Sequence, residues 1–208
     1  LAWITRFGDL TDQQRITLRK KVIKQISKKI EKDKLLKNEP ASLKNDFEIL
    51  YILEENDNPK KSQKALLNYY DYLKSRGRRR KSHLIYLAHM LSFDEDSVPE
   101  SLNVYDDLLS RAPHLVSIKI RKARVLVQQK QYEKALKILK SSLPDSYGDN
   151  QFHAYWLLHL AYDGLKQKKK SKDILQEGYW LGKKKYGENA NLFSKYKKIK
   201  EKYEEAKL

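Results

Sequence analysis

Residues 123–143 read ARVLVQQKQYEKALKILKSSL, and this stretch decides the fold. Its pattern occurs 34 residues earlier as well, since 135 − 101 = 34 and 143 − 109 = 34. The matched positions are Ser101, Leu102, Tyr105, Leu108 and Leu109 in the earlier stretch and Ala135, Leu136, Leu139, Ser142 and Leu143 in the later one. A fixed period of this length is typical of helix–turn–helix units that bury their apolar stripes by stacking on copies of themselves. The sequence therefore predicts an all-α chain, an α-solenoid of antiparallel helix pairs with about nine or ten helices.

Three regions follow from the helical pattern on either side of this stretch. Residues 1–81 are predicted to form an N-terminal helical region, in which a degenerate repeat is one interpretation of the second and third helices. Thr11 and Gln14 have the spacing of a capping box at the start of the first helix. Residues 82–186 are predicted to hold the repeats, and residues 187–208 a capping helix from about residue 190. Its apolar stripe is Leu192, Tyr196, Ile199 and Tyr203.

The composition excludes several classes of protein. The 208 residues include 7 Gly and 5 Pro, too few for a turn-dense all-β fold. The chain has no cysteine, so it has no disulfide frame, thiolate nucleophile or cysteine-based metal site. No apolar run approaches the roughly 20 residues of a transmembrane helix. Because the chain begins with Leu1, we expect a processed or trimmed product, and a lost signal or anchor stays open.

The formal net charge of +17 is the second strong feature of the sequence. Such a charge attracts nucleic acid, acidic lipid, acidic protein or an anionic cell-wall polymer over long range. Lysine-rich codon usage would produce the same charge on solvated helix faces with no anionic ligand involved. Both interpretations stay open at this point. The absence of cysteine is equally compatible with a cytoplasm and with a bacterial periplasm or envelope.

Three residues of the central stretch give it a resemblance to the tetratricopeptide repeat family. Ala123 and Ala135 stand at the small positions of that motif and Tyr132 at its aromatic position. Small residues at these places let two helices approach closely, and the aromatic ring fills the wedge beside them. The resemblance covers residues 82–186, about half the chain, with Pro113 at the closing proline of the preceding unit. In the following unit, after an assumed insertion of about four residues, Lys170 takes the aromatic position.

The resemblance implies that the first helix of each unit lines a concave groove that binds a peptide or helix of a partner protein. Tyr86, Met90 and Phe93 would contribute from the first clear unit. The later two units would contribute Ser117, Ile120, Arg124, Val127 and Gln128, and then Tyr155, Leu158, Tyr162 and Lys166. This mixture of basic, aromatic and aliphatic groups suits a peptide with some acidic character. The family's clamp for a terminal carboxylate, made by Lys and Asn residues at set groove positions, is not reproduced.

A run of basic residues between two predicted helices is a separate candidate site for anions. It consists of Arg76, Arg78, Arg79, Arg80 and Lys81. Guanidinium groups match both phosphates and carboxylates, which favours an anion-binding role. A second interpretation is structural, because cations after a helix C-terminus complement the helix dipole.

No catalytic residue, cofactor or metal site is predicted. His83 and His89 are six residues apart, as are His153 and His159, and neither pair has the i, i+4 spacing of two ligands on one helix face. His159 is predicted to be a hydrogen-bonded packing histidine. The sequence contains neither a phosphate-binding loop of the G-x-x-x-x-G-K-[ST] type nor a G-x-S-x-G nucleophile elbow.

We therefore interpret the sequence as a non-enzymatic scaffold or adaptor that binds another protein, with an acidic segment as the expected ligand. The alternative is a basic helical protein that binds nucleic acid or another anionic polymer. That alternative requires basic residues on one continuous face with aromatic side chains placed for stacking. In the sequence the basic residues are scattered over turns and outer faces, and most tyrosines fall at packing positions.

Overall fold

The structure is a computed structural model that describes residues 11–34, 46–47, 49–50, 59–75, 81–93 and 95–206. All regular structure in these ranges is helical, with nine α-helices and two short 3₁₀ segments. Residues 46–47 and 49–50 are also helical. The helices are α1 (Asp12–Lys34), α2 (Pro59–Ser75), α3 (Lys81–Leu91), α4 (Val98–Arg111), α5 (Val116–Gln128), α6 (Tyr132–Ser142), α7 (Gly148–Gly164), α8 (Lys168–Tyr186) and α9 (Ser194–Glu205). The 3₁₀ segments are Glu95–Ser97 and Gly187–Leu192.

The chain divides into two compact units, Leu1–Leu87 and Ala88–Leu208. In the N-terminal unit, the predicted capping box is confirmed. The backbone N–H of Thr11 donates to Oε1 of Gln14 (2.8 Å), and the N–H of Gln14 donates to Oγ1 of Thr11 (3.3 Å). One buried apolar cluster among the described residues of this unit contains Ile30, Phe47, Tyr69, Tyr72 and Leu73.

The C-terminal unit is a stack of helix pairs, which confirms the predicted fold class. From α4 onward each helix packs on the next, and α5 also packs on α7 and α7 on α9. Three-residue connections join α5 to α6 and α7 to α8, and connections this short make the joined helices antiparallel neighbours. The first helices of successive pairs thus lie side by side as α5, α7 and α9.

Two turns in this unit have the same geometry and fix the true repeat interval. Lys130 and Lys166 both have positive φ, 56° and 60°. The N–H of Gln131 donates to the carbonyl of Leu126 (2.8 Å), and the equivalent bond runs from Gln167 to Tyr162 (2.9 Å). These turns are 36 residues apart, since 166 − 130 = 36. Helices α4 and α6 begin 34 residues apart (132 − 98), as predicted. The insertion before the last unit is therefore two residues, and the predicted four was wrong.

The corrected interval changes which residues pack between helices in the last unit. Ala123 and Ala135 are fully buried, and the residues 36 positions later are His159 and Ser171. Oγ of Ser171 lies 2.7 Å from Nδ1 of His159, so His159 is the hydrogen-bonded packing histidine that was predicted. The residue equivalent to Tyr132, 36 positions later, is Lys168. Lys170 therefore does not occupy the aromatic position of this unit.

Two glycines allow close helix contacts in this unit. A Cβ on Gly164 would lie 2.2 Å from the Tyr132 ring, and a Cβ on Gly182 would lie 2.1 Å from the Tyr196 ring. Gly182 therefore lets α9 pack tightly on α8. A helix, α9, lies in the region where the capping helix is predicted, and it begins at Ser194. Leu192 lies before it in a 3₁₀ segment and is 81% exposed.

The two lysines with positive φ lead to a stability prediction. We expect Lys166→Gly to stabilise the protein by about 0.5–1 kcal/mol, because glycine adopts this backbone conformation without the clash of a Cβ. The matched control is Lys172→Gly, an exposed position inside α8, which should destabilise by about 1 kcal/mol. Urea unfolding measures both. A loss of stability in Lys166→Gly would contradict the turn geometry.

Candidate functional site

The predicted groove residues of α5 and of the first unit differ in accessibility. Arg124, Val127 and Ser117 are half-buried and Gln128 is exposed, but Ile120 is 1% exposed and belongs to the core. Met90 is half-buried, and Phe93, in the turn after α3, is 65% exposed. Tyr86 is half-buried and belongs to the N-terminal unit.

The predicted groove residues of α7 point in another direction than expected. An error of two residues rotates a helical position by about 200°, because each residue turns the helix by about 100°. Tyr155, Leu158 and Tyr162 accordingly line a pocket together with residues of α6 and α8. Leu158 and Tyr162 are also buried members of the core. Lys166 is exposed in the turn after α7.

With the corrected interval of 36 residues, His153 on α7 is the equivalent of Ser117 on α5. It lies among cations from the two neighbouring helices, α5 and α9. The pKa of His153 is lowered to about 4, mainly by burial and then by the charges of Lys195 on α9 and Arg124 on α5. Arg121 of α5 acts in the same direction, and Asp149 opposes it. His153 is therefore neutral near pH 7, and we call the three cations around it, Arg121, Arg124 and Lys195, the cationic face.

Arg124 is held in place by residues at the end of α3. Its guanidinium Nη2 donates to Nδ1 of His89 (3.1 Å) and to Oγ of Ser92 (3.4 Å). Because arginine can only donate, Nδ1 of His89 accepts and carries no proton. Burial and then the charge of Arg124 lower the pKa of His89, which favours the same neutral form. The Nε of Arg124 is buried and has no hydrogen-bond partner among the described residues.

An aromatic ring lies beside this arginine cluster. The ring of Phe93 packs edge-on against His89 with centroids 4.8 Å apart. Phe93 is thus an exposed apolar group next to the imidazole that Arg124 binds. The cationic face therefore has a hydrophobic neighbour that a partner could contact.

The predicted anion-binding run is almost entirely outside the described residues. Arg76, Arg78, Arg79 and Arg80 lie there, and Lys81 is the exposed first residue of α3. Among the residues that the structure describes, no group of three His, Asp or Glu side chains could hold a metal ion. Within the same ranges, every helix is too short or too polar to cross a bilayer.

Comparison with known proteins gave structural matches alone. No protein-family model matches the sequence, and no curated protein is significantly similar to it. A solved structure titled "MamA RS-1 ArsTM double mutant" is 22% identical over 76% of this chain and 95% of its own, with a TM-score of 0.49. "MamA 41-end from Desulfovibrio magneticus RS-1" is 21% identical over 78% of this chain and 96% of its own, also with a TM-score of 0.49. The fold assignment rests on the helix pairing of this chain itself.

Sequence reasoning identified Arg124 but missed Arg121, His153 and Lys195. A usable signal was present, because the dipeptide Lys-Gln occurs at residues 130–131 and again at 166–167. Aligning the two turns on this dipeptide gives the interval of 36 residues. That interval places His153 level with Ser117 on the neighbouring first helix.

The lowered pKa of His153 predicts a pH dependence of stability. An unfolded histidine titrates near 6.5, so between pH 6.5 and 4 the unfolded chain binds the proton more readily than the folded one. Stability from this group is complete above pH 6.5 and is lost as the pH falls towards 4. With allowance for partial exposure, we expect a loss of up to about 2 kcal/mol.

His153→Gln should reduce this pH dependence, because glutamine does not titrate. Urea unfolding at pH 7 and pH 4.5 measures the difference for both proteins. Other titrating groups also lower the free energy of unfolding in acid. The quantity to compare is therefore the difference between the two proteins in the stability that they lose from pH 7 to pH 4.5. An equal acid loss in the two proteins would show that His153 is protonated freely in the folded state.

Proposed function

We propose that this protein is a non-enzymatic scaffold of the tetratricopeptide repeat type, which binds an acidic segment of a partner protein across its cationic face. The partner chain would cross α5, α7 and α9. The observation that carries the proposal is the clustering of cations from α5 and α9 around His153, with Asp149 as the opposing charge.

The dimensions of the face suit a short extended segment. Packed helices lie about 8–10 Å apart, so the path from α5 over α7 to α9 is about 20 Å long. An extended chain covers this distance in about six residues, at roughly 3.3 Å per residue. Two or three carboxylates in such a segment could face the arginines and Lys195 in turn.

The chemistry of the individual groups favours carboxylates. A guanidinium binds a carboxylate through two parallel hydrogen bonds, and Arg121 of the cationic face is exposed to a partner. Phe93 offers an apolar contact beside the same cluster. Acidic residues with an apolar neighbour are therefore the expected ligand.

Binding of defined probes tests this proposal against the nucleic-acid alternative. The first probe is a fluorescein-labelled 12-residue peptide of Ala, Leu and Glu with Glu at every third position, and the second is a labelled single-stranded 12-mer of deoxythymidine. We expect the peptide to retain binding at 150 mM salt, whereas binding of the DNA falls steeply with salt. Tight DNA binding that survives at 150 mM salt, with no peptide binding, would contradict the proposal.

A further inference from the structure

A pocket lies between the N-terminal ends of α5 and α7, beside the cationic face. It is formed by the turns before these two helices and by their first residues, and its lining residues are His114, Leu115, Val116, Ser117, Asp145, Ser146, Tyr147 and Asn150. We call it the α5–α7 pocket. Its volume is about 380 Å³, within the range of pockets that bind small ligands.

The α5–α7 pocket and the cationic face lie along the same sides of two helices. On α5, Ser117 of the pocket is followed by Arg121 and Arg124 at i+4 and i+7, the spacing of one helix face. On α7, Asn150 of the pocket is followed at i+3 by His153, around which the cations lie. A ligand bound on the cationic face can therefore reach the pocket one helical turn away.

The pocket has an exposed aromatic wall on an ordered turn. Tyr147 lines the pocket and is 71% exposed. Its backbone is extended, with φ −142° and ψ 164°, and the next residue, Gly148, has a φ of 54°. The N–H of Gly148 donates to the hydroxyl of Tyr186 (3.2 Å), which ties this turn to α8. A partner that covers Tyr147 fixes only two side-chain torsions, so the entropy cost of this contact is small.

The composition of the pocket favours an uncharged ring. Leu115, Val116 and Tyr147 supply its apolar lining. Asp145 is exposed at the same pocket, so it repels a carboxylate of the ligand. Arg121 is one turn away and repels a basic side chain. An aromatic ring avoids both repulsions, and it stacks on a tyrosine at centroid distances of about 4.5–7 Å.

The spacing between the pocket and the cationic face gives the position of the ring in the ligand. Ser117 and Arg121 are four residues apart on α5 (121 − 117), which is about 6 Å at 1.5 Å per residue. An extended chain covers this distance in about two residues, at roughly 3.3 Å per residue. The aromatic residue of the ligand therefore lies about two positions from the nearest acidic residue.

We propose that the α5–α7 pocket binds an aromatic side chain of the same acidic segment that the cationic face binds. The ring packs against Tyr147, Leu115 and Val116, and a carboxylate about two residues away pairs with Arg121. This inference rests on the function proposed above. It narrows the partner to proteins in which an aromatic residue adjoins an acidic stretch.

Two probe peptides test the pocket on the full chain. Both extend the 12-residue Glu peptide by one residue at each end, two positions from the nearest Glu. The first peptide carries Phe at both ends and the second carries Ala. Fluorescence anisotropy at 150 mM salt gives the two dissociation constants. We expect the Phe peptide to bind about fivefold more tightly, because part of one ring leaves water.

Amide chemical shifts of the ¹⁵N-labelled chain give the position of the bound ring. The shifts caused by the Phe peptide should differ from those caused by the Ala peptide mainly at residues 114–117 and 145–150. Phe93 is also an exposed ring near the cationic face. Differences confined to the surroundings of Phe93 would overturn the proposal.

Matched variants test the aromatic wall of the pocket. Tyr147→Ala should remove the preference for the Phe peptide, whereas Tyr147→Phe should retain it because the ring is kept. Trp180→Ala removes an exposed ring of α8 that does not line the pocket, and it should leave the preference unchanged. A preference that survives Tyr147→Ala, or that is lost in Trp180→Ala, would overturn the proposal.

The two peptides also separate this inference from the function on which it rests. If both peptides bind with equal affinity, the cationic face binds acidic segments but the inference about the pocket is wrong. If neither peptide binds, the proposed function is wrong and the inference fails with it.

Discussion

Ala135→Trp is expected to destabilise the C-terminal unit by at least about 3 kcal/mol. Ala135 has no exposed surface and belongs to the core between α5, α6 and α7, together with Ala123. An indole has no space at this contact, so α6 must separate from its neighbours, and overpacking of this kind costs about 1–3 kcal/mol even for smaller additions. Since domains are stable by about 5–15 kcal/mol, the loss would be large.

The matched control is Glu133→Trp, which adds the same side chain at an exposed position of α6. Its effect should stay within about 0.5 kcal/mol. Urea unfolding followed by circular dichroism compares both variants with the unchanged chain. If Ala135→Trp unfolded at the same urea concentration as the control, Ala135 could not lie at a close helix contact.

Arg121→Glu combined with Lys195→Glu is expected to weaken binding of the 12-residue Glu peptide at least tenfold. The two side chains come from α5 and α9, on either side of His153, so the substitution reverses the charge at both ends of the cationic face. Each reversal replaces attraction by repulsion of the peptide carboxylates. Arg124 is left intact because its hydrogen bonds to His89 and Ser92 give it a structural role as well.

Lys134→Glu combined with Lys137→Glu is the control for this experiment. Both lysines are exposed on α6, so the net charge changes by the same amount in a different place. Fluorescence anisotropy at 150 mM salt measures both variants. An equal loss of affinity in the two pairs would show that the peptide responds to the net charge of +17 and not to the cationic face.

The fold of the repeats was predictable from the sequence because it depends on local patterns. The small residues Ala123 and Ala135 and the 34-residue interval are visible without coordinates, and they determine the helix pairing. The capping box of Thr11 and Gln14 also depends on four consecutive residues alone. Each of these features is short in sequence, so no long-range information was needed.

The candidate site was harder to predict because it depends on the count of residues in one connection. Between α6 and α7 the chain has five residues, 143–147, and no residue type shows how many of them are insertions. The two-residue error turned Tyr155, Leu158 and Tyr162 away from the expected face and placed His153 on it. The hydrogen bond between Arg124 and His89 joins residues 35 positions apart. The periodicity of apolar residues does not predict which polar side chains meet across such a distance.

The most direct test of the central claim is to locate the bound Glu peptide on the protein. Titration of the 12-residue peptide into the ¹⁵N-labelled chain reports every amide that senses it. The account predicts that the largest shifts fall on α5, α7 and α9, around Arg121, Arg124, His153 and Lys195. Largest shifts at the lysine clusters of α8, residues 168–170 and 183–185, would contradict it.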